Sequence, residues 1–505
     1  MTSENATKVV IAGGGTAGWL AAFALSGRLG SLLDITLVES DAIGTIGVGE
    51  ASIPPMRTFH KLMGVDEQEF MRATQATFKL GIVFENWAAQ GDRYVHSFGK
   101  IGTESWMAEF HEFWLEAQAQ GFGGDLGDYC LELKAAEAGK FAALEDPRLN
   151  YAFHLDATAY AQYLRGYSEK AGVKRIEGKI LEVGQDTSSG FIESVMLDSG
   201  QKIHGDFFID CTGFRALLIG QALQVGYQDW SHWLAADSAL AVQTAPVKPP
   251  PPYTRSIAHE SSWQWQIPLQ KRVGNGLVYS SYFLSDEAAE ATLLSNLEGE
   301  LLTEPKSIKY HTGMRNQAWC KNCVAFGLSS GFVEPLESTS IHLIMTGIIR
   351  LIKLFPFSGS KPDLAKRYND ETRLELESIR DFIILHYHAT QRTDSGYWNY
   401  YRTMEIPDSL RHRMSIFEES GYASPDDVSL FRVDSWVQVM FGQRLFPKTH
   451  HHAGRLLKPE ALRESLSQLK ASIDKTVSSL PAHSDFIKHY CGVSDEMPLT
   501  EGKIS

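Results

Sequence analysis

The first forty residues combine short apolar runs with a glycine-rich turn. Residues 8–12 (KVVIA) form an apolar run typical of a buried strand, and the turn follows at residues 13–18. Residues 19–29 form an apolar stretch of helical length, and a second short apolar run at residues 35–38 ends in Glu39. This pattern predicts the strand, turn, helix and strand with which a dinucleotide-binding fold begins.

The glycine-rich turn has the chemistry that such a site needs. Glycines let the backbone approach a pyrophosphate, and the next helix directs its free N–H groups toward the phosphates. Glu39 follows at the position where a carboxylate binds a ribose hydroxyl. The motif alone is weak evidence, but its context predicts dinucleotide binding. The residues assigned to this site are Gly13, Gly15, Thr16, Ala17, Gly18 and Glu39.

Later segments favour FAD over NAD, because FAD-binding folds return to the cofactor from distant parts of the chain. An apolar run at residues 207–209 leads into Asp210 and a turn that contains Gly213, as in many FAD proteins. A second glycine-rich turn occupies residues 44–50. The residues that these segments add to the FAD set are Asp210 and Gly213. The turn at residues 44–50 would be an ordinary loop if taken alone, and Gly47, Val48, Gly49 and Gly327 join the FAD set only through the family resemblance described below.

The pattern becomes mainly helical from about residue 362 to residue 479. We therefore expect an α/β (α+β) fold, in which an FAD-binding Rossmann-like module packs against a largely helical region that covers the substrate. The boundary is expected near residue 360, giving regions 1–360 and 361–505 that are intertwined. The proline run at residues 249–252 predicts a stiff connection at the surface.

Composition narrows the classes of partner. The chain has 505 residues and a net charge of −14, which argues against nucleic acid or an anionic membrane as a partner. No apolar run approaches the roughly 20 residues of a membrane span, and the polar first residues do not resemble a secretory signal. We expect a cytoplasmic protein.

The cysteines and clustered histidines do not predict a metal site. Cys320 and Cys323 form a lone C-x-x-C, without a second pair at zinc spacing, so structural cysteines are favoured over a redox or zinc pair. The run at residues 450–452 (HHH) lacks the spacing that places ligands on one face of a helix. No metal is expected.

Residues 331–340 (GFVEPLESTS) lead into an apolar stretch and predict a loop that carries carboxylates to the start of a helix. The hydroxyl residues there are suited to an N-cap. The N–H groups at a helix start attract anions, and a halide is a small anion. On these residues alone, an ordinary capped helix with Glu334 and Glu337 near its dipole is the favoured interpretation.

Three further segments have an ordinary interpretation when each is taken alone. Residues 263–268 (WQWQIP) are typical of a strand with two buried tryptophans. Residues 94–98 (YVHSF) alternate as a half-buried strand does, and Lys79 in the segment TFKLG would usually be a solvated surface charge.

Taken together, these segments resemble the flavin-dependent halogenases of the tryptophan halogenase family, from residue 9 to about residue 447. The W-x-W-x-I-P segment, the E-P-L-E-S-T segment, the lysine and the H-x-F element occur in family order, and I-G-V-G-E resembles the flavin-lining strap. The resemblance implies these roles: Lys79 and Glu337 catalytic; Thr339 and Ser340 halide-binding; His96, Phe98, Ser338 and Trp436 substrate-binding; Trp263, Trp265, Ile267 and Pro268 shielding the flavin.

The resemblance also implies the reaction. A separate NAD(P)H-dependent flavin reductase would supply FADH₂, and O₂ with chloride or bromide would then yield hypohalous acid. Lys79 would present the halogen to an aromatic ring, as in a tryptophan 7-halogenase-like enzyme, and Glu337 would accept the proton that the ring loses. A homodimer is a further family expectation.

This chain departs from the family pattern at three places. Ser97 replaces the usual proline of the H-P-F element, and Ser340 stands where glycine is usual. Residues 433–447 contain Trp436 but lack the tyrosine pair, the glutamate and the Phe-Trp pair that grip the amino acid. Indole, a substituted indole or another electron-rich aromatic is therefore expected beside tryptophan as a candidate substrate.

Two other functions remain open on the sequence. An FAD-dependent aromatic monooxygenase would share the glycine turn and the segment around Asp210, but would leave Trp263, Trp265 and the pairing of Lys79 with Glu337 unexplained. A non-catalytic FAD-binding protein would make Lys79 dispensable.

Overall fold

The structure is a computed structural model that describes residues 6–43, 49–103, 108–144, 149–357, 359, 361–423 and 430–492. Its contacts divide the chain into two compact units, each assembled from separate stretches of sequence. The first unit comprises Met1–Thr74, Leu155–Ser238 and Ile308–Arg380, and the second comprises Gln75–His154, Ala239–Ser307 and Asp381–Ser505. The boundary near residue 360, which the sequence predicts between functional regions, stays a prediction.

The strands of the described chain follow one another in short segments. In chain order they are β1 (Thr7–Ala12), β2 (Leu33–Glu39), β3 (Gly49–Ala51), β4 (Thr77–Lys79), β5 (Gly81–Glu85), β6 (Arg93–Ser97), β7 (Ala152–Asp156), β8 (Lys174–Glu177), β9 (Ile180–Gln185), β10 (Ile192–Leu197), β11 (Lys202–His204), β12 (Phe207–Asp210), β13 (Tyr227–Asp229), β14 (Ser238–Thr244), β15 (Thr254–Ala258), β16 (Ser262–Pro268), β17 (Val273–Tyr279), β18 (Lys306–Lys309), β19 (Gly313–Arg315), β20 (Trp319–Cys320), β21 (Cys323–Ala325) and β22 (Gly331–Phe332).

The helices dominate the last third of the described chain. In chain order they are α1 (Thr16–Leu29), α2 (Pro55–Met63), α3 (Glu67–Thr74), α4 (Phe110–Ala119), α5 (Leu131–Glu137), α6 (Ala157–Lys170), α7 (Asp286–Ser295), α8 (Ser340–Leu354), α9 (Pro362–His388), α10 (Gly396–Thr403), α11 (Asp408–Ser420), α12 (Val433–Gly442), α13 (Pro459–Ser479) and α14 (His483–Cys491). The expected helical stretch begins as predicted, at α9, and continues beyond the predicted end at residue 479, because α14 follows α13.

The first unit is built on a six-stranded sheet in the order β20, β21, β12, β1, β2, β8. The strands from β21 to β8 are parallel, and β20 closes the edge as a hairpin with β21. Strand β1 lies in the interior of this sheet, so its apolar run is buried on both faces, as the continuous pattern predicts. The helix α1 packs against α6 and α8. The mixed α/β class with a Rossmann-like sheet is therefore confirmed.

The second unit contains a mixed sheet with the order β14, β17, β16, β15, β5, β6. Strand β15 runs parallel to β5, while β16 is antiparallel to both of its neighbours. All residues of β16 are buried, because the strand is interior and covered on both faces. The helix α12 packs against β6 at the sheet edge, and α13 packs against α5.

The length and hydropathy of the helices show whether any of them could cross a membrane. Among the residues that the structure describes, no helix combines the length and apolar character that a bilayer crossing requires.

Candidate active site

The glycine turn leaves the carboxyl end of β1 in a conformation that requires glycine. Gly13 has a φ of +106°, and its N–H group donates to the Val38 carbonyl at 2.8 Å. A Cβ at Gly13 would lie 2.3 Å from the backbone oxygen of Cys211, the residue that follows β12. The backbones after β1 and β12 therefore approach too closely for any side chain here, as the dinucleotide-binding turn demands.

Two other glycines of the turn serve helix packing and ligand access. A Cβ at Gly18 would lie 1.8 Å from the Gly13 carbonyl oxygen, so Gly18 lets α1 pack directly on the turn. Gly15 is the N-cap of α1, with no side-chain hydrogen bond to the helix start, and a Cβ there would meet nothing within 4 Å. Thr16 and Ala17 form the first turn of α1, which thus begins earlier than residue 19. This geometry fits the pyrophosphate of FAD, because an anion can approach the N–H groups of the helix.

Glu39 ends β2 beside the glycine turn, as predicted. Its carboxylate accepts hydrogen bonds from Trp19 Nε1 at 3.3 Å and from Arg175 Nε at 2.5 Å. A Cβ on Gly14 would lie 1.5 Å from Glu39 Oε2, which shows how closely the carboxylate approaches the turn. The position suits a ribose hydroxyl, and Arg175 holds the carboxylate in place. Sequence reasoning missed Arg175, which follows no motif.

Asp210 organises the turn after β12. Its carboxylate is fully buried and accepts hydrogen bonds from the backbone and hydroxyl of Thr212, at 2.9 and 2.7 Å, and from the N–H groups of Leu218 and Ile219, at 2.8 Å each. Asp210 therefore accepts hydrogen bonds from the N–H groups at the start of a π-helical turn, Leu217–Ala222, in addition to any role toward FAD.

The other described glycines of the FAD set lie in the first unit as well. Gly213 is left-handed at a φ of +69°, and its carbonyl accepts from Ser329 Oγ at 3.0 Å. Gly327 is also left-handed, and a Cβ there would lie 3.3 Å from the Cβ of Ala17 at the start of α1. These distant segments therefore meet near the glycine turn. Gly49 begins β3, whereas Gly47 and Val48 lie outside the described residues.

The carboxylate loop ends in a strained turn before α8. Glu337, which closes a 3₁₀ turn (Pro335–Glu337), is 1% exposed, and Glu334 is fully buried. Ser338 is left-handed, with a φ of +58°, an unfavourable conformation for a residue with a Cβ. Thr339 is the N-cap of α8 but makes no side-chain cap hydrogen bond, so the expected hydroxyl cap is wrong. The backbone at Thr339 and Ser340 thus begins a 15-residue helix whose dipole favours an anion.

Lys79 is a buried residue of the second unit, and the interpretation as a surface charge is wrong. It ends β4, whose register pairs Lys79 with Ala152 of β7, and its side chain has no exposed surface. The ammonium Nζ lies 5.3 Å from the centroid of the Phe98 ring. This is within the range of a cation–π interaction, which strengthens when water is excluded.

Two of the substrate-binding residues predicted in the second unit, His96 and Trp436, belong to one aromatic cluster. The His96 ring lies 5.4 Å from that of Phe382 and 6.0 Å from that of Phe431. Phe382 contacts Trp436 edge-on at 4.9 Å, and Trp436 Nε1 donates to the Phe431 carbonyl. Sequence reasoning missed Phe382 and Phe431, because they lie on separate segments with no motif. The structure thus brings His96 and Trp436 together through two unpredicted rings.

The two tryptophans of β16 lie on one face of the strand. Trp263 and Trp265 are 1% and 8% exposed, with ring centroids 6.1 Å apart. The Trp265 ring covers Gly276 of β17, where a Cβ would be 1.9 Å from the ring. Ile267 is buried too, and the Pro268 carbonyl at the strand end accepts from the hydroxyl of Thr77 at 2.7 Å. That bond ties the end of β16 to the strand of Lys79.

The cysteines occupy ordinary structural positions. Cys320 and Cys323 face one another across the β20–β21 hairpin as free thiols, and burial raises the pKa of both. A raised pKa keeps a thiol protonated and a poor metal ligand. Across the described part of the chain, no group of three or more His, Cys, Asp or Glu side chains is placed to hold a metal.

The parallel sheet, with the glycine turn at its carboxyl edge, defines a class of proteins that bind a dinucleotide. Comparison with known proteins identifies the family within that class: residues 8–459 match the family model for tryptophan halogenase. The chain belongs to the tryptophan halogenase family; it is a flavin-dependent halogenase whose cofactor is FAD.

Individual relatives match along nearly the whole chain. The structure of Xcc4156, a flavin-dependent halogenase from Xanthomonas campestris, is 52% identical, with a TM-score of 0.95, and the match covers 97% of this chain and 99% of that one. BrvH, a flavin-dependent halogenase from Brevundimonas sp. BAL3, is 43% identical, with a TM-score of 0.92 and coverage of 96% and 99%. Tryptophan 6-halogenase SttH from Streptomyces toxytricini is 34% identical over 96% of this chain and 98% of its own length.

Proposed function

We propose that the enzyme halogenates an electron-rich aromatic compound by passing hypohalous acid to Lys79. The observation that supports this role best is the complete burial of Lys79 with its Nζ 5.3 Å from the Phe98 ring. Lysine is almost never fully buried without a specific reason. A buried amine beside an aromatic wall offers hydrogen-bond donors where water is excluded, and that is where a reactive halogen must be held.

Different residues of the chain then have different roles in the reaction. When bound, reduced FAD would supply the hypohalous acid from O₂ and chloride or bromide. Lys79 binds this acid through a hydrogen bond or as a haloamine and directs the halogen toward one ring carbon. The ring electron pair forms the carbon–halogen bond as the halogen–oxygen bond of the acid, or the halogen–nitrogen bond of the haloamine, breaks. The electron pair of the broken bond leaves with hydroxide or with the Lys79 amine. Glu337, as a carboxylate, accepts the proton that leaves the same carbon.

The halide and the cofactor are assigned to backbone groups of the first unit. The amides at Thr339 and Ser340 would bind the halide at the start of α8, with Ser338 toward the substrate. The turn from Gly13 to Gly18 would hold the pyrophosphate. The uncapped helix starts support both assignments.

The substrate is proposed to be indole or a substituted indole, with tryptophan as the competing candidate. Residues 433–447 lack the side chains that grip the amino-acid group, whereas His96, Phe98 and Trp436 offer aromatic surfaces for a ring. The reacting carbon stays a prediction, because 7-halogenation was expected from the sequence while the relative SttH is described as a 6-halogenase.

A separate NAD(P)H-dependent flavin reductase is the proposed source of reduced FAD. A homodimer, expected from the family resemblance, and a cytoplasmic location, expected from the sequence, remain part of the proposal. Light scattering of the purified enzyme would measure the oligomeric state directly.

The test supplies the enzyme with FAD, a generic flavin reductase, NADH, O₂ and bromide, with indole and tryptophan in parallel reactions. Mass spectrometry would detect the isotope doublet of a brominated product. We expect the doublet with the wild type and not with Lys79→Ala. The matched control is Lys306→Ala, which removes an exposed lysine from β18.

The alternatives predict different products. A product that gains one oxygen and no bromine would favour the aromatic monooxygenase. FAD binding without any product, across a wider panel of aromatic compounds, would favour a non-catalytic FAD-binding protein. A doublet that persists in Lys79→Ala would contradict the proposed role of the lysine.

A further inference from the structure

The strand that carries Lys79 has backbone bonds on the side facing away from β7. The Leu80 N–H group, just after β4, donates directly to the carbonyl of Pro252 at 2.7 Å. The Phe78 N–H group, two residues earlier, donates instead to Nε2 of His483 at 3.2 Å. His483 begins α14, which lies beyond residues 8–459 that match the family model.

The imidazole of His483 bridges Phe78 to the proline run. Its Nδ1 lies 2.7 Å from the carbonyl oxygen of Pro250, two residues before Pro252. Prolines have no N–H group, so this run can only accept hydrogen bonds. Leu80 reaches it directly and Phe78 reaches it through the imidazole. The run is therefore more than a surface connection, and Pro252 itself is buried.

The two partners determine which tautomer His483 adopts. A carbonyl oxygen only accepts, so Nδ1 carries the hydrogen that it donates to Pro250, and Nε2 must accept from Phe78. The side chain is 1% exposed, and burial lowers its pKa to about 4, with the bond to Pro250 opposing that shift. The imidazole is therefore neutral near pH 7 and remains an acceptor for the amide next to Lys79.

A second imidazole, that of His154, supports Thr77, the residue before Phe78, through hydrogen bonds that likewise determine its tautomer. Thr77 donates its hydroxyl hydrogen to the Pro268 carbonyl, so its oxygen accepts from Nδ1 of His154 at 2.9 Å. Nε2 of His154 then accepts from the hydroxyl of Thr254, also at 2.9 Å. Burial, followed by the positive charge of Lys79, holds the pKa of His154 well below its usual value. Both residues before Lys79 are thus fixed by neutral imidazoles.

We propose that His483 is a positioning residue for Lys79, acting through its hydrogen bond to the Phe78 amide. This proposal rests on the proposed function of Lys79. The bond fixes the backbone one residue before the lysine, while the Phe78 ring stacks on Phe141 at 4.1 Å and contacts Phe486 of α14 at 5.5 Å. Loss of the acceptor would let the end of β4 move and displace Nζ from its position over Phe98.

Two substitutions distinguish the acceptor function of His483 Nε2 from the donor function of its Nδ1. In His483→Gln, the side-chain oxygen reaches the position of Nε2 and can still accept from Phe78. In His483→Asn, the amide nitrogen occupies the position of Nδ1 and can still donate to Pro250, but no acceptor reaches Phe78. The wild type, both variants and Lys79→Ala are compared in the full-length enzyme.

Two readouts are taken from each protein. One is the kcat and KM for bromination of indole, together with the rate at which reduced FAD is consumed. The other is hydrogen exchange, by mass spectrometry, of the peptide containing residues 75–80. We expect His483→Asn to speed exchange of that peptide and to lower kcat about tenfold or more, with KM and flavin consumption little changed. His483→Gln should stay close to the wild type in both readouts.

Equal behaviour of the two variants would overturn the proposal, whether both match the wild type or both lose activity and protection alike. Failure of the proposed function is a separate result, in which Lys79→Ala still brominates indole. The exchange measurement still decides whether His483 holds this strand, because it does not depend on turnover.

Discussion

Gln438 of α12 pairs its side-chain amide with the backbone of Ser97 at the end of β6. Its oxygen accepts from the N–H group and the hydroxyl of Ser97, both at 2.9 Å, and its nitrogen donates to the Ser97 carbonyl at 3.3 Å. Proline, usual at this position in the family, has neither an N–H group nor a hydroxyl. The departure at Ser97 thus allows a buried connection between the strand of His96 and the helix of Trp436.

This pairing predicts the effect of restoring the family residue. Ser97→Pro should destabilise the protein by about 1–3 kcal/mol, because the buried oxygen of Gln438 loses both donors. Ser97→Ala keeps the N–H group and should cost less. Urea unfolding of both variants measures the difference, and equal midpoints would show that the backbone bond contributes nothing.

The glycine turn predicts that two alanine substitutions have different effects, one on FAD binding and the other on folding. Gly15→Ala should fold normally, because its Cβ meets no atom within 4 Å, but should weaken FAD binding by obstructing the pyrophosphate. Gly18→Ala should destabilise the fold itself, because its Cβ would lie 1.8 Å from the Gly13 carbonyl. Thermal unfolding without cofactor and FAD titration by fluorescence separate the effects. A Gly15→Ala variant that binds FAD as the wild type does would place the pyrophosphate elsewhere.

The position of Glu337 in the carboxylate loop predicts that its substitution slows halogenation without weakening FAD binding. Glu337→Gln keeps the shape of a side chain that is 1% exposed but removes the proton acceptor. We expect kcat for halogenation to fall by about 10²–10⁴-fold, with FAD binding and consumption of reduced FAD retained. Stopped-flow absorbance and product analysis measure these quantities. Retention of more than a tenth of the wild-type kcat would contradict the assignment of Glu337 as the base.

Glu132 predicts a pH dependence of stability. Burial, more than the nearby charge of Asp434, raises its pKa from 4.5 to about 7, although the Asn150 N–H group donates to it. The folded state therefore binds this proton more tightly than the unfolded chain. The stabilisation is fully present below pH 4.5 and is lost as the pH rises to about 7. Its size is at most roughly 3 kcal/mol.

A substitution isolates that contribution. Glu132→Gln should remove it, so the stability of the variant relative to the wild type should rise between pH 5 and pH 8. Glu304→Gln, on an exposed loop residue, is the control and should follow the wild type. Urea midpoints at several pH values provide the measurement, and parallel profiles for Glu132→Gln and the wild type would refute the prediction.

Local patterns predicted the elements whose constraints are local. The apolar run of β1, the glycine turn and the acid that ends β2 each depend on neighbours in sequence, so they could be recognised before any packing was known. The predicted helix was too short at its start, because Gly15 and Gly18 flank its first residues and glycine is typical of a turn. Resemblance added Lys79 and Glu337, which neither periodicity nor composition distinguishes from other charged residues.

By itself, the sequence determined the class of fold, the dinucleotide turn and the family. Tertiary structure alone decided that Lys79 is buried, that Phe382 and Phe431 join His96, that Thr339 leaves α8 without a side-chain cap, and that His483 reaches Phe78. These features join segments that lie far apart in the chain. Such contacts depend on how whole elements pack and on where buried donors find acceptors, and no local spacing records either.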